Sequence, residues 1–341
     1  MPLEYDIRPY QPGDEAGILP SFNTVFREVV GEGFEDRAPE LWDWQYLQNP
    51  AGHRIWLAVT PDGTIAGQYA GVPQTFATDF GKQIFVHAVD SFVVKEHRAG
   101  LKRPGLFVNT GQPWFQWCED GGDGVIYGYP VPNARRIGEK FLGYQMTRSV
   151  DYLVRPFEVG EIQRETSDAE LTVRTVDEVP QDLDQLNERF LAGRRCAMNK
   201  TRDVVDWRYR QVPDGRSTYT LIEARRGAEL HGFAVLRVNW ELVPDACWIA
   251  DWMTAEGDGE ARLAMLQLTA ELGQAAGRTS MAAMFAPWSP ESKHFERLGF
   301  AWQPSSNWFE RIQIVNPFHA EMPVDWLRDH WWYTLGDTDL V

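Results

Sequence analysis

The residues best suited to chemistry form a basic loop in the first third of the chain. Residues 95–103 read KEHRAGLKR, in which four Lys or Arg side chains and a glycine accompany a single Glu. A helix is predicted to begin at Leu106, directly after Gly105. A pyrophosphate binds where backbone N–H groups converge at a helix N-terminus, glycine allows close approach and positive charge is near. The loop therefore predicts a pyrophosphate site, although a solvated basic loop before a helix has the same composition.

The strand that leads into this loop carries the nearest titratable side chains. Asp90 interrupts an otherwise apolar strand, so it either makes a buried hydrogen bond or takes part in chemistry. Strict alternation places His87 on the opposite face from Asp90, which favours a surface or core histidine. Glu96 is expected to be a solvated loop charge.

The hydrophobic pattern predicts a mixed arrangement of strands and helices around these residues. The predicted elements are a strand at Tyr5–Arg8, a helix at Gly13–Val29, strands at Ile55–Thr60, Ile65–Phe76 and Ile84–Val94, a helix at Phe107–Glu119 and a strand at Gly124–Tyr129. Interposed strands and helices of this kind indicate an α/β (α+β) fold with a mixed sheet.

The chain also repeats itself at a nearly constant offset. The pattern D-W-x-Y-x-Q-x-P occurs at Asp43–Pro50 and again, 163 positions later, at Asp206–Pro213. Further matches in the same order are Arg8 with Arg174, Gly67 with Gly232, Asp90 with Asp251, and Gly143 with Gly299. We therefore predict two copies of one domain. The predicted ranges are 1–155 and 171–312 for the copies, 156–170 for a polar linker, and 313–341 for an aromatic tail that packs back onto the domains.

The composition of the 341 residues excludes several classes of protein. With 43% hydrophobic and 24% charged residues the chain is globular, and a net charge of −16 argues against nucleic-acid or anionic membrane partners. No apolar run is long enough to span a membrane, and the first ten residues do not resemble a signal peptide. Three distant cysteines and scattered histidines predict neither disulfides nor a metal site, so a cytoplasmic location is expected.

This element order, with three short motifs, resembles the GNAT superfamily of acyl-CoA-dependent N-acyltransferases. The motifs are the opening IRPYQPGDEAGI, the stretch VVKEHRAG that ends at Gly100, and Asn133-Ala134 followed by Phe141-Leu142-Gly143-Tyr144. The resemblance covers both halves of the chain. It implies two tandem GNAT-like domains, each a mixed, splayed β-sheet flanked by helices, with acetyl-CoA or another acyl-CoA lying in the splay.

The resemblance also implies which residues hold the acyl-CoA. They are Phe92, Val93, Val94, Arg98, Gly100, Lys102, Arg103, Gly105 and Asn133. The stretch from Arg98 to Gly105 is longer than the family pattern Arg/Gln-x-x-Gly-x-Gly/Ala, and Pro104 removes one N–H donor. Asn133 either contacts the pantetheine or caps the helix that follows.

For the reaction, the resemblance implies that an N–H on the strand ending Phe92-Val93-Val94 polarises the thioester carbonyl. The position at which the family carries the tyrosine that protonates the leaving thiolate is Glu139 here and Phe295 in the second copy. Either acid catalysis is dispensed with, or another group supplies the proton, for which Tyr127 and Tyr129 are candidates. The predicted catalytic residues are Asp90, His87 and Tyr129. The recurrence of Asp90 as Asp251 favours a structural role for that carboxylate.

The acceptor side of the cleft is expected to be aromatic. Trp44, Tyr46 and Tyr127 are the predicted substrate-binding residues, although the repetition of Trp44 and Tyr46 in the second copy favours packing. The 15 tryptophans of the chain fit either an enclosed ligand pocket or a Trp-rich core.

The second copy is expected to be degenerate. Residues 255–262 read AEGDGEAR, so three carboxylates occupy the position of the pyrophosphate loop, where like charge is repulsive. This copy is then either structural or a lining of the acceptor site. The tail segment Thr334–Asp339 brings two further carboxylates, which either bind an acceptor ammonium or lie in a frayed end.

The implied function is that of an N-acyltransferase. It would move an acetyl or other acyl group from CoA to a small-molecule amine, such as an amino sugar or a biosynthetic amine, as a monomer or homodimer. No metal, nucleic acid or membrane is expected to take part. The alternatives are a non-catalytic acyl-CoA-binding or assembly module, and a related enzyme with other acyl-CoA chemistry such as thioester hydrolysis or decarboxylation.

Overall fold

A computed structural model describes most of the chain. The described residues are 4–31, 33–98, 104–162, 170–213, 219–239, 245–255, 257–308 and 310–338. Three predicted ligand residues, Gly100, Lys102 and Arg103, lie outside these ranges, as does Asp339.

The first half of the chain alternates strands and helices close to the predicted bounds. The strands are β1 (Asp6–Pro9), β2 (Arg54–Val59), β3 (Ile65–Thr78), β4 (Gly81–Val93), β5 (Val125–Gly128), β6 (Gln145–Ser149) and β7 (Tyr152–Pro156). The helices are α1 (Glu15–Val30), α2 (Pro39–Tyr46), α3 (Leu106–Asp120) and α4 (Pro132–Phe141).

The second half repeats this order. The strands are β8 (Leu171–Val176), β9 (Cys196–Met198), β10 (Thr220–Arg226), β11 (Glu229–Arg237), β12 (Ala246–Thr254), β13 (Ser280–Ala283), β14 (Ala301–Gln303), β15 (Ile312–Pro317) and β16 (Trp331–Trp332). The helices are α5 (Leu183–Ala192), α6 (Arg202–Tyr209), α7 (Gly259–Ala275), α8 (Pro290–Arg297) and α9 (Val324–His330).

These strands form two mixed sheets of matching order. The first sheet runs β1-β2-β3-β4-β5-β15-β6, with β9 paired to the end of β3 and β16 paired to β9. The second runs β14-β7-β13-β12-β11-β10-β8. One central pair in each sheet is parallel, β4 with β5 and β12 with β13. The predicted α/β (α+β) class with two repeated mixed sheets is confirmed.

Each sheet takes one strand from the other half of the sequence. Strand β15 lies between β5 and β6 in the first sheet, and β7 lies between β13 and β14 in the second. The compact units are therefore discontinuous and differ from the predicted contiguous ranges. Unit one comprises Met1–Thr75, Gln83–Thr147 and Gln313–Val324, and unit two comprises Phe76–Lys82, Arg148–Ile312 and Asp325–Val341.

Both units have aromatic-rich cores. In unit one, Tyr69, Val86 and Ile126 of the sheet pack against Val108 and Trp114 of α3. The largest fully buried side chains include Trp42, Trp114, Trp248, Trp252, Trp331 and Trp332, which supports the interpretation of a Trp-rich core. None of the described helices is long and apolar enough to cross a lipid bilayer.

The strand exchange predicts which sheet each core substitution loosens. Val315 on β15 and Leu153 on β7 are both fully buried, and they pair with Tyr127 on β5 and Ala283 on β13 respectively. We expect Val315→Ala and Leu153→Ala each to lower the free energy of unfolding by about 1–4 kcal/mol. By hydrogen exchange, Val315→Ala should expose β5 and Leu153→Ala should expose β13.

The control is Val159→Ala, because Val159 is 56% exposed and its loss should change neither sheet. If Val315→Ala loosened β13 and left β5 protected, the assignment of β15 to the first sheet would be wrong.

Candidate functional site

The candidate site lies where strands β4 and β5 part. The two strands pair in parallel only from Phe85 with Val125 to His87 with Tyr127. β4 nevertheless continues to Val93, six residues farther, whereas β5 ends at Gly128. The gap beyond His87 and Tyr127, which we call the first cleft, is the splay that the resemblance implied.

Strand geometry directs one backbone donor into the first cleft. The N–H of Val94 donates to the Ala66 carbonyl of β3 at 2.9 Å. Successive residues of an extended strand point their N–H groups to opposite edges, so the N–H of Val93 is directed away from β3. The N–H and C=O of one strand residue point to the same edge, so the Val93 carbonyl is also directed away from β3, and it accepts from Nε of Arg98 at 2.9 Å. Of the three predicted residues Phe92, Val93 and Val94, the geometry favours Val93 as the donor.

Helix α3 begins at the outer end of this cleft without a side-chain cap. Gly105 is its N-cap residue and has no side chain that could accept from the first-turn N–H groups. The first turn also carries no acidic residue. Arg98, one of the described cations of the loop, donates to the Val93 carbonyl at the end of β4 and lies 3.4 Å from Glu28. The end of this cleft can therefore accept an anion.

A β-bulge at Asp90 shapes the strand that borders the cleft. Asp90 has φ = 55°, in the left-handed region that few residues other than glycine adopt. Val86 faces α3, yet Phe92, six positions later, packs on Phe22 of α1 at a centroid distance of 6.2 Å. Strict alternation would place Val86 and Phe92 on one face, so the bulge shifts the phase between them.

The bulge corrects the predicted placement of His87. Val86 faces α3, so its neighbour His87 points to the opposite face of the sheet. Asp90 points to that opposite face as well, because it contacts Tyr46 of α2. Simple alternation separated the two side chains, and that expectation was wrong because Asp90 adopts the left-handed conformation. The ring of His87 is 3% exposed and stacks on Tyr127 at 4.6 Å.

Asp90 is held by a cluster of donors from the segment around α2. Its Oδ2 accepts from the Tyr46 hydroxyl at 2.7 Å, from Gln45 Nε2 at 3.0 Å and from Arg37 Nη1. Burial alone would favour the neutral acid. The Arg37 charge and these hydrogen bonds outweigh it, so the pKa of Asp90 lies below its usual value. An ionised carboxylate held in this way is a weak base.

Tyr129 is a predicted catalytic residue that, unlike His87, stays partly accessible. It directly follows β5, is half-buried, and lies 5.7 Å from the His87 ring, edge to face. Its hydroxyl accepts from Gln313 Nε2 at 3.4 Å. The hydroxyl of Tyr127, by contrast, is buried and bonds Gln74 at 2.7 Å. The structure thus brings Tyr129 and His87 together beside the first cleft.

The predicted acceptor residues are core residues in this structure. Trp44 is 7% exposed, and Tyr46 and Tyr127 are fully buried. A surface cavity of about 420 Å³ lies instead between α1 and the start of α2, where Asn23, Asp36 and Arg37 contribute to its lining. Apolar as well as polar groups line this cavity.

Asn133 does not cap α4. The N-cap residue is Val131, Pro132 is the first helical residue, and Asn133 is exposed in the first turn. No group of three or more His, Cys, Asp or Glu side chains that could hold a metal ion occurs among the described residues.

Unit two repeats the cluster around Asp90 with its own residues. Oδ2 of Asp251 accepts from the Tyr209 hydroxyl at 3.0 Å, as Asp90 does from Tyr46. The cation is Lys200, whose Nζ lies 2.5 Å from Asp251 Oδ1. Sequence reasoning missed Arg37 and Lys200, although they share the offset of 163 that links Tyr46 with Tyr209.

The helix after β12 differs from α3 at its N-terminus. Asp258 caps α7, and its Oδ1 accepts from the N–H of Ala261 at 3.0 Å. Arg226 and His231 also bind this carboxylate. Burial opposes its ionisation, but these hydrogen bonds outweigh burial and lower the pKa of Asp258. This helix N-terminus already holds an anion of the chain itself.

Comparisons with known proteins bear on the fold. No known protein-family profile matches the chain, and no curated protein matches it in sequence. It is similar to a probable N-acyltransferase of unknown function from Enterococcus faecalis V583, with a TM-score of 0.67, 10% identity and coverage of 92% of this chain and 72% of that one. It is also similar to a GCN5-related N-acetyltransferase from Anabaena variabilis ATCC 29413, with a TM-score of 0.66, 11% identity and coverage of 93% and 73%.

A third structure shares the doubled architecture. It is a tandem GNAT protein from the clavulanic acid biosynthesis pathway, with a TM-score of 0.56, 10% identity and coverage of 93% of this chain and 99% of that one. These similarities show that the chain has a tandem GNAT fold, which confirms the predicted resemblance at the level of the fold.

The Asp90 cluster predicts how stability depends on pH. Because the pKa of Asp90 is lowered in the folded state, its stabilisation is complete above the unfolded value near 4 and is lost as the pH falls through the folded value. Asp90→Asn should lower the free energy of unfolding by roughly 2–3 kcal/mol at pH 7 and flatten its decline below about pH 5. Denaturant unfolding at several pH values measures both effects. The control is Asp36→Asn at a carboxylate that is 55% exposed, and an equal loss there would contradict the prediction.

Proposed function

We propose that unit one binds an acyl-CoA in the first cleft and transfers the acyl group to a small-molecule amine. The observation that carries the proposal is the parting of β4 from β5 after His87 and Tyr127. At the outer end of this gap α3 begins, and its N-cap residue is a glycine that provides no capping side chain. Acetyl-CoA is the donor that we would test first. The tandem GNAT fold supports this proposal without identifying the acceptor.

The pyrophosphate of the donor would lie at the start of α3. The first-turn N–H groups behind Gly105 and the helix dipole favour an anion there. Arg98, which is 44% exposed and anchored to Val93, would add positive charge at the same end of β4. Gly100, Lys102 and Arg103 stay predicted contacts, since they lie outside the described residues.

The chain's own groups would then act on the thioester as follows. The N–H of Val93 donates to the carbonyl oxygen and stabilises the negative charge that develops on it. The neutral amine attacks the carbonyl carbon, so a C–N bond forms and the C–S bond breaks. The Tyr129 hydroxyl gives its proton to the leaving thiolate, and the proton from the new ammonium passes to water. The tyrosinate then regains a proton from water, so that no net proton is gained or lost.

Asp90 is better suited to positioning than to proton transfer. Its carboxylate is held by Arg37, Tyr46 and Gln45, and its lowered pKa makes it a weak proton acceptor. The cluster fixes the bulge, and the bulge fixes the direction of the Val93 N–H three residues later. His87 would hold the ring of Tyr129 from one side.

A second candidate function is acyl-CoA binding without transfer. Two observations favour this alternative. Asp90 is ion-paired with Arg37 and so is not available as a base. The predicted acceptor residues Trp44, Tyr46 and Tyr127 are buried and do not line an open pocket. Donor binding with no thiol release across a panel of amines would select it over the transferase.

The donor site is tested by one charge at the start of α3. Gly105 has φ = −86°, which any residue can adopt, and both Asp and Asn are good N-cap residues. Gly105→Asp should weaken acetyl-CoA binding by roughly tenfold or more, because a fixed carboxylate then competes with the pyrophosphate. Gly105→Asn has the same shape without the charge, so it should bind markedly more tightly than Gly105→Asp. Equal affinities of the two variants in calorimetric titration would rule out an anion site at Gly105.

The proton donor is tested by removing one hydroxyl. Tyr129→Phe should lower kcat for amine-dependent thiol release by about 10- to 100-fold, with little change in KM for acetyl-CoA. Tyr10→Phe is the control, since Tyr10 is half-buried and bonds Glu15 of α1. A Tyr129→Phe variant with wild-type kcat would exclude the proposed role.

A further inference from the structure

The C-terminal segment lies where unit two would have its own cleft. Strands β12 and β13 pair in parallel from Ala246 with Ser280 to Ile249 with Ala283, and β12 continues alone to Thr254. Beyond that point β12 packs against the short helix Leu335–Asp337. We call the segment Trp331–Thr338 the C-terminal plug, and all eight of its residues are buried.

Gly336 brings the plug against the bulge of β12. The pairing of β12 with β11 shifts register between Ile249 and Asp251, which leaves Ala250 as the extra residue. A Cβ atom on Gly336 would lie 3.1 Å from the Ala250 carbonyl oxygen and 2.1 Å from the Tyr209 hydroxyl. Even a methyl group would therefore require Tyr209 to move, so the backbone of the plug lies close against the strand beside Asp251, the residue that corresponds to Asp90 in unit one.

Burial of the two bulged strands differs accordingly. All nine residues of β12 are buried. On β4 the residues around the bulge, Ala88, Asp90 and Ser91, stay partly exposed. The two strands have the same place in the same fold, so the difference lies in what covers them.

The plug also supplies the second carboxylate around Lys200. The Lys200 ammonium is 2.7 Å from Asp337 Oδ1 and donates to Thr334 Oγ1 at 2.7 Å, in addition to its contact with Asp251. Both Lys200 and Asp337 are buried. Thr334 and Asp337 form a capping box that holds the short helix in shape. The sequence left two alternatives for the tail carboxylates, an acceptor ammonium or a frayed end. In this structure Asp337 is buried and its ammonium partner, Lys200, belongs to the chain.

We propose that unit two is occupied by its own chain and binds no acyl-CoA. The plug covers the bulged strand where the thioester end would lie, and the Asp258 carboxylate holds the helix N-terminus where the pyrophosphate would lie. The Lys200 ammonium lies between carboxylates of the strand and the plug. That the excluded ligand is acyl-CoA rests on the function proposed for unit one. That the plug covers the strand in unit two does not depend on that function.

Hydrogen exchange of the intact chain, read by mass spectrometry, tests the closure directly. In ligand-free protein the peptide covering the plug should exchange on the order of a hundredfold or more slowly than an unstructured peptide. Saturating acetyl-CoA should leave the plug and the peptide 252–265 unchanged. Exchange of the plug at the unstructured rate would overturn the proposal, and so would its displacement or added protection of 252–265 by acetyl-CoA.

A pair of glycine variants tests whether close packing holds the plug. Gly336→Ala should raise exchange of the plug by roughly tenfold or more, because the new methyl group clashes with Tyr209 and Ala250. Gly259→Ala is the control in the same unit, because a Cβ atom at Gly259 would have no atom within 4 Å. Hydrogen exchange of the plug should be unchanged in this variant. Unchanged exchange in Gly336→Ala would overturn the packing argument.

Failure of the proposed function has a different signature. If acetyl-CoA protects neither the end of β4 nor the start of α3, donor binding in unit one is contradicted. The protection of the plug in ligand-free protein decides the closure of unit two whatever the result in unit one.

Discussion

The largely buried carboxylate of Asp90 is the constraint on which the candidate site depends. It lies where two parallel strands part, in a backbone conformation that the strand would otherwise avoid. A carboxylate in such a place is costly unless charge and hydrogen bonds compensate it. Arg37, Tyr46 and Gln45 provide that compensation, and so the segment around α2 holds the bulge of β4. The direction of the Val93 N–H follows from the bulge.

Unit two compensates the corresponding carboxylate, Asp251, with a different set of charges. Its tyrosine and aspartate recur as Tyr209 and Asp251, and its cation is Lys200 in the place of Arg37. A guanidinium can bind one carboxylate with two parallel hydrogen bonds, whereas an ammonium donates in three directions. Lys200 uses that freedom to hold a second carboxylate, Asp337, and with it the C-terminal plug. The change from Arg37 to Lys200 thus accompanies the difference between β4, which is partly exposed, and β12, which the plug covers.

Much of the fold follows from local sequence. The helix predicted at Phe107–Glu119 is α3, Leu106–Asp120, because its apolar residues recur at helical spacing and turn-forming residues bound it. The repeat was visible because packing residues such as Trp44 and Trp207 recur at one offset. The exchange of β7 and β15 was not predictable, since strand patterning specifies a buried face and not a partner strand.

The site was less predictable than the fold for a physical reason. Alternation predicts the sheet face of a side chain only while the strand is regular. Because of the bulge, Asp90 and His87 lie on the same face, although alternation predicted opposite faces. Aromatic residues that suggested an acceptor wall, Trp44 and Tyr46, are buried in the core. The tail carboxylate Asp337 met an internal ammonium instead of a substrate, and only the long-range contact with Lys200 reveals this.

We propose that the fold is present twice in this chain and offers one donor site. The most direct measurement is the number of acetyl-CoA molecules bound per chain, determined by native mass spectrometry over a range of donor concentrations. We expect one molecule per chain at saturation. Two molecules per chain would contradict the closure of unit two, and none at millimolar donor would contradict the donor site in unit one.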